Sequence, residues 1–256
     1  MSAILAIFRK EMRVYFTSPI AYVVCAVFLV ITGYLYYMIV SFATRQSMMM
    51  MQFQGGLPQV NINEMILRPT FQNIAVIMIL TLPLLTMRLM AEEKKAKTAE
   101  LLLTSPVTIT EIILGKYLSV LLVFALMLGL TLFMPLLLGA FGQIQWPPVL
   151  VGYLGLLILG AVFLSLGLFA SSVTENQIVA SILGFGLILI LWLMGWLSQN
   201  LADTGVGELF TFLSVGEHFQ NFVKGLLTTE DLVYMASLAA LGLFLTHRVI
   251  ESQRWK

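Results

Sequence analysis

The sequence predicts an all-α integral membrane protein with six transmembrane helices. Three observations carry that prediction. Of 256 residues, 59% are apolar by the AVILMFWYC count and 11% are charged, against roughly 25% charged in soluble domains. Mean hydropathy is +0.95, and a soluble fold of this length cannot hide so much apolar side chain while keeping its surface wetted. The few charges are gathered between long charge-free runs. Soluble enzymes, nucleic-acid readers and disordered chains are excluded, and a net charge of +1 provides no field toward nucleic acid.

The chain opens on an amphipathic helix within residues 1–19. Ile4, Leu5, Phe8, Met12, Tyr15 and Phe16 share one face at 100° per residue, and Arg9, Lys10 and Arg13 share the other. Ser18-Pro19 ends it just before the first span. A basic face beside a membrane helix reads as an interfacial helix on the inner leaflet.

The spans follow from the charge-free runs. Val14–Thr44 places a helix at about Ile20–Phe42, and Pro69–Met87 is a second crossing. Tyr117–Thr174 is too long for one helix and is split by Gly142-Gln-Ile-Gln-Trp-Pro-Pro148, with Trp146 suited to the headgroup layer and the prolines to a turn. Asn176–Ala202 is the fifth span, and Leu232–Thr246 the sixth, reaching about Ile250 if His247 and Arg248 snorkel. The first run has an apolar core about twice that of a signal peptide and no A-x-A-like site after it, so it reads as an uncleaved anchor. The single cysteine, Cys25, forbids an internal disulfide.

Orientation follows from the 14 Lys and Arg residues. With both termini inside, only Arg45, Arg68 and Lys224 face outward and the other 11 face the cytoplasm. The expected location is the bacterial cytoplasmic (inner) membrane.

The loop Arg88–Lys116 is the most informative stretch. Ala91-Glu92-Glu93-Lys94-Lys95-Ala96-Lys97-Thr98-Ala99-Glu100-Leu101-Leu102-Leu103 is built of strong helix formers, with Glu93 and Lys97 at i,i+4. Thr104-Ser105-Pro106 stops that helix, and Thr108-x-x-Glu111 is a capping box for the next. The expected product is a short cytoplasmic helix ending in three exposed leucines, an apolar tip with a charged rim suited to docking in a partner's cleft. Thr174-Glu175-Asn176, at a capped helix start in the loop 171–177, offers a second, smaller contact.

Outside the spans, 201–230 is long and apolar. Phe210, Phe212, Leu213, Val215, Phe219, Phe222, Val223, Leu226 and Leu227 alternate with glycines, so this connection is expected to be buried in protein or to dip into the bilayer. In the first outer loop, Ala43–Arg68, Met48–Met51 point around a helix and do not make a copper(I) site.

No enzyme constellation is present. His218 and His247 fall on opposite sides of the membrane by this topology, which leaves no metal pair. Neither H-E-x-x-H nor G-x-S-x-G occurs. Gly115-Lys116 is not a Walker A lysine, because Thr110 stands where the first glycine belongs and Tyr117 replaces the Ser/Thr. Ionisable groups at mid-membrane depth are missing, with Arg88 and Lys116 at span ends, which disfavours an ion-coupled carrier. Small residues recur in span four (Gly155, Gly160, Ala161, Ser165, Gly167, Ser171) and span five (Gly184, Gly186), permitting close helix contact within the chain or across a dimer.

Arg9-Lys10-Glu11…Tyr15-Phe16-x-Ser18-Pro19-Ile20-Ala21-Tyr22, Glu92-Glu93-Lys94…Thr98-Ala99-Glu100-Leu101-Leu102-Leu103-Thr104-Ser105-Pro106-Val107 and Gly115-Lys116 together resemble the ABC-2 type permease family. The similarity is closest to its gliding-motility-associated branch and extends to the permease of the nitrous-oxide-reductase maturation transporter. The tail His218-Phe219…Phe222-x-x-Gly225…Asp231…Tyr234 supports it. One departure is Ala99 after Lys97-Thr98, where relatives often read Gly-Thr-x-Glu, so a turn there is expected to differ.

The resemblance implies a single transmembrane domain over 1–256. In it, 88–116 is the coupling loop that docks on a separate ATPase, through Glu92, Glu93, Lys97, Glu100, Leu101, Leu102, Leu103, Thr104, Ser105 and Pro106, with Glu175 adding to the contact. Residues 1–19 are the connecting helix, and 201–230 is a pair of short re-entrant helices carrying His218, Phe219, Phe222 and Gly225. ATP and magnesium belong on the partner ATPase, none on this chain. A second permease copy or a related permease, an envelope or periplasmic partner and the lipid membrane complete the expected partners. The resulting expectation is the permease subunit of an ATP-driven exporter. The alternatives are an ATPase-coupled scaffold or mechanotransmission subunit without flux, and a secondary carrier.

Overall fold

The structure, a computed structural model, describes residues 3–54, 61–98, 107–142, 144–200 and 205–253. It is all-α, with no strand among the described residues, and six helical stretches are long and apolar enough to cross a membrane. The first helix, α1 (Ala3–Thr17), is followed by α2 (Pro19–Gln54). Ser18 sits between them, its N–H on the Val14 carbonyl at 3.0 Å, and Pro19 opens α2 where its missing N–H costs nothing. At 36 residues α2 is about 54 Å long, well beyond the ~30 Å apolar layer. It thereby takes up much of what the sequence suggests is the outer loop Ala43–Arg68; Met48 and Met49 lie exposed on it.

The second crossing starts with a π-helical turn (Asn63–Leu67), continues as α3 (Arg68–Thr86) and, after Met87, as α4 (Arg88–Lys95). The third is α5 (Ile109–Leu130), interrupted at Thr131-Leu132 and resumed as α6 (Phe133–Phe141). That interruption is unexpected from sequence; the Thr131 hydroxyl and carbonyl are held by the Leu128 carbonyl and the Tyr153 hydroxyl, at 2.7 and 2.9 Å. Pro147 and Pro148 fall in the first turn of α7 (Trp146–Val173), not in a separate turn before it. Then come α8 (Gln177–Asn200), the short α9 (Gly205–Leu213) and α10 (Val215–Val223), and α11 (Thr229–Gln253).

Two helices form the centre. In the most apolar stretch of α3 72% of residues are buried, and in that of α7 67%, against 17% for α2 and 22% each for α8 and α11. The peripheral helices turn large apolar groups outward, such as Val30, Tyr37 and Phe42 on α2 and Ile178 on α8, as a lipid-facing surface requires. Small residues along α7 make the centre tight: a Cβ on Gly155 would lie 2.4 Å from Phe222, on Gly160 2.1 Å from Phe124, and on Gly167 2.2 Å from the Thr86 hydroxyl. The small-residue row of span four therefore packs within the chain. Gly186 on α8 has nothing within 4 Å of where its Cβ would be.

Candidate functional site

At the end of the bundle where α1, α4 and the start of α5 meet, four charges form one junction. Lys116 stands two turns into α5 and is 1% exposed. Its ammonium donates to Glu11 Oε1 at 2.8 Å, to Glu93 Oε1 at 2.9 Å and to the Leu89 carbonyl at 2.7 Å. All three of its donors are used. Lys10 Nζ lies 2.6 Å from the same Glu93 oxygen and 3.3 Å from Glu11 Oε1. Two ammoniums face two carboxylates, so the burial is electrically balanced and hydrogen-bonded, the condition on which buried charge is tolerated. Half-burial works against the Lys10 ammonium, but Glu93 and Glu11 outweigh it and hold its pKa above the ordinary lysine value.

Helix geometry explains the arrangement. The side of α1 packed on the protein is the stripe Ile4, Ile7, Glu11, Tyr15, Ser18, and Gly115 on α5 leaves room for Ile7, which a Cβ there would meet at 2.8 Å. This stripe is turned roughly a fifth of a turn from the apolar face expected from sequence. Leu5 and Phe16 of that face are exposed, and Leu5 and Phe8 line an apolar groove of about 540 Å³ with Leu118, Leu121, Leu122 and Leu157. Glu11 sits within the packed stripe, although by type it belongs to a polar face. Arg9, Lys10 and Arg13 are exposed, as expected. Tyr15 donates its buried hydroxyl to the Leu85 carbonyl at 2.9 Å, and burial pushes its pKa well above the usual phenol range.

The helix that opens the loop 88–116 is shorter than expected. It ends at Lys95, not Leu103, in a Schellman turn: Thr98 N–H reaches the Glu93 carbonyl and Lys97 N–H the Lys94 carbonyl, both at 3.0 Å. Lys97 takes the left-handed conformation, φ 55°, that such a turn gives to glycine. Glu92 is exposed and pairs along the helix with Arg88 at 3.0 Å, while Arg88 also donates to Ser18 Oγ. Residues 99–106, and with them Glu100, Leu101, Leu102, Leu103, Thr104, Ser105 and Pro106, lie outside the described residues. The Thr108/Glu111 capping box is present in both directions. Glu175 is exposed in the turn before α8, whose first turn is capped by Asn176 accepting from Ile178 N–H at 2.9 Å.

Sequence reasoning missed Glu11 and took Lys116 for a flanking charge at a span end. The available signal was a lone acid on a basic helix and a lysine placed between a glycine and an apolar run. The stretches Lys10-Glu11, Glu93 and Gly115-Lys116, quoted above as separate motif fragments, meet here.

At the opposite end, α9, α10 and α11 are knotted around Asp231. It accepts from His218 Nδ1 at 2.6 Å, Asn221 at 2.9 Å and Thr228 at 2.5 Å. His218 Nε2 lies 3.1 Å from the Phe212 carbonyl and its ring stacks on Tyr234, centroids 4.0 Å apart. Phe219 and Phe222 are fully buried, and Gly225 turns at φ +80° against Pro148. The apolar residues of 201–230 divide between protein and outside: Val215, Phe219, Phe222 and Val223 are buried, Phe212, Leu213, Leu226 and Leu227 exposed. Among the described residues no group of three or more His, Cys, Asp or Glu could hold a metal ion.

The sequence model of a family described as ABC-2 family transporter protein matches residues 5–249. The chain belongs to that family. As an ABC-2 transporter protein it is a membrane permease of an ABC transporter, a transport subunit, and its membership implies an ABC ATPase partner. No curated protein matches the chain.

Proposed function

We propose that the chain is the permease subunit of an ATP-driven exporter in the bacterial inner membrane, nearest the gliding-motility-associated branch, with both termini cytoplasmic. Two such subunits, identical or related, sit on two ATPase subunits that bind ATP and magnesium, and an envelope partner completes the path outward. The loop 88–116 docks on the ATPase through the stretch ending in Leu101, Leu102 and Leu103. The single observation behind this reading is the four-charge junction of Lys10, Glu11, Glu93 and Lys116. It ties the helix that opens the loop to both α1 and α5, so displacement of the loop is delivered to the bundle and not lost in a hinge. The Lys/Arg asymmetry supports the orientation.

Two measurements test it. Co-purification of the ATPase with the permease should survive Glu92→Lys, with altered salt dependence, and be lost with Leu101→Asp, which forces a carboxylate into an apolar cleft. Undiminished recovery with Leu101→Asp moves the docking site to the turn at Glu175. In a Cys25→Ser background, Ala96→Cys should react with an impermeant maleimide only after permeabilisation and Gly205→Cys from outside; the reverse pattern overturns the orientation. Reconstitution with the ATPase separates an exporter, which shows ATP-dependent flux, from a mechanotransmission subunit, which shows coupled ATPase turnover alone.

A further inference from the structure

His218, on α10 and 8% exposed, has an oxygen acceptor at each ring nitrogen. Nε2 lies 3.1 Å from the Phe212 carbonyl, which can only accept, so that contact needs a proton on Nε2. Nδ1 lies 2.6 Å from Asp231 Oδ1. The other oxygen of Asp231 accepts from Asn221 and from the Thr228 hydroxyl, so the carboxylate is an acceptor throughout and Nδ1 donates as well. A neutral imidazole has one N–H, and only the protonated ring has two. The arrangement is therefore that of the charged ring. Its setting matches: Phe212 lies in the last turn of α9, where a helix end suits a cation, and Asp231 in the first turn of α11, where it suits an anion. The ring also lies nearly flat on Tyr234, with 20° between the planes.

We propose that His218 is a proton-operated latch that fastens α9 to α11. With two ring protons it serves both acceptors. With one it serves only one, and the proton stays on Nδ1, because a bond to a carboxylate is stronger than one to a neutral carbonyl and a bare Nδ1 would face that negative charge. The contact given up is the one to Phe212, where the unprotonated Nε2 then faces the carbonyl oxygen. Tyr234 still donates to the Leu213 carbonyl at 2.6 Å, so the last turn of α9 loosens but is not freed. The sign is fixed by this count: the latch is closed at low pH and slackens as pH rises. Glu208 from α9, Glu217 and Lys224 from α10 and its end, and Glu230 and Asp231 from α11 line the same cleft of about 430 Å³. The helices α7 and α8, which also pack on α10, carry no Asp, Glu, Lys, Arg or His, and the single charge of α3 is Arg68 at its start. Which compartment's pH the latch reads rests on the orientation proposed above, which places this end outside the cytoplasm.

The test uses the full-length permease in lipid nanodiscs, open to buffer on both sides, so it does not depend on that orientation. His247 is the second of two histidines, and His247→Gln leaves the His218 ring alone in a nitrogen-15 spectrum. The spectrum should show two ring N–H groups at about pH 5.5 and one, on Nδ1, at about pH 8, a span within histidine's range and above the ordinary carboxylate one. Over the same titration, hydrogen-exchange protection of the amides of Thr211, Phe212 and Leu213, corrected for intrinsic rate, should fall several-fold with the same midpoint. In His218→Gln the protection should no longer depend on pH; should that variant not fold, the agreement of the two wild-type midpoints decides. A proton count on the ring that stays constant across the range overturns the latch. So does protection that does not follow the count, or a His218→Gln profile equal to that of wild type. A reversed pattern in the maleimide labelling changes only the compartment whose pH is read.

Discussion

Lys116→Met should be the most damaging single substitution at the charged junction. Methionine matches lysine in length but brings neither charge nor donor. Removing the ammonium takes a hydrogen bond from Glu11, Glu93 and the Leu89 carbonyl at once. Stripping one partner from a buried ion pair costs about 3–5 kcal/mol. The lower end applies here, because Lys10 still lies 2.6 Å from Glu93 and shares the remaining negative charge. A loss of about 3 kcal/mol corresponds to a fall in melting temperature of roughly 6–12 °C for a chain of this size. Lys10→Met touches the same two carboxylates, but the Lys10 side chain is 53% exposed, so solvent discounts it and the expected cost is about 0.5 kcal/mol.

The assay is thermal unfolding of each purified variant in one detergent, followed by tryptophan fluorescence. Lys116→Arg should fall between the two, since a planar guanidinium does not fit a fully buried pocket shaped for a point charge. Glu11→Gln combined with Lys116→Met should cost less than the sum of the single changes, because the second removal meets an interaction already broken. Equal shifts for Lys10→Met and Lys116→Met, or a Lys116→Met shift below about 2 °C, would refute the argument that the buried lysine holds the corner together.

Three further outcomes follow from the packing. Lys97→Gly should stabilise by about 1 kcal/mol, seen as a rise of roughly 2–4 °C in the same melt, because it relieves a left-handed lysine at the Schellman turn; a fall would place the turn elsewhere. Gly160→Ala should cost about 1–3 kcal/mol by driving a methyl into the Phe124 ring, whereas Gly186→Ala, with open space around it, should be neutral or slightly stabilising through helix propensity. Similar effects from the two would remove the case for intramolecular use of the span-four row. Asp231→Asn should cost about 2–3 kcal/mol, as it loses the charge that three donors converge on, and proteolysis between α9 and α11 should quicken; an unchanged digestion pattern would show that the knot does not hold those helices together.

What was legible in the sequence was whatever a single residue type decides. Six crossings stand out because each run is apolar whatever packs on it, and the Thr108/Glu111 capping box is a local pattern that needs no distant partner. What was not legible depends on who covers whom. The apolar face of α1 counts Leu5 and Phe16, but periodicity does not distinguish a face buried by α5 from one open to lipid, so the true contact stripe is turned toward Glu11. Lys116 and Glu11 are 105 positions apart, and no rule of spacing pairs them. The end of α4 is hidden for a different reason: strong helix formers continue past Lys95, and the left-handed residue that stops the helix is a lysine, which carries none of the signal a glycine would.

The motif fragments acquire a physical meaning from this. On the reading of 88–116 as the docking loop, α4 receives the push and passes it on through the groups that hold it, which lie on two sides. On one side Glu93 is fastened through Lys116 to α1 and α5; on the other, the Met90 and Ala91 amides are fastened through Ser171 to α7. The ionic side is balanced, buried and saturated with donors, so moving it intact costs far less than breaking it. The Ser171 hydroxyl holds its side by neutral hydrogen bonds, weaker than the charge-assisted ones around Lys116, so that is the side that gives first. A displacement of α4 should therefore drag α1 and α5 as a unit and slip relative to α7, which puts the sliding surface against the small-residue row of α7 and the fixed one at Gly115 and Ile7.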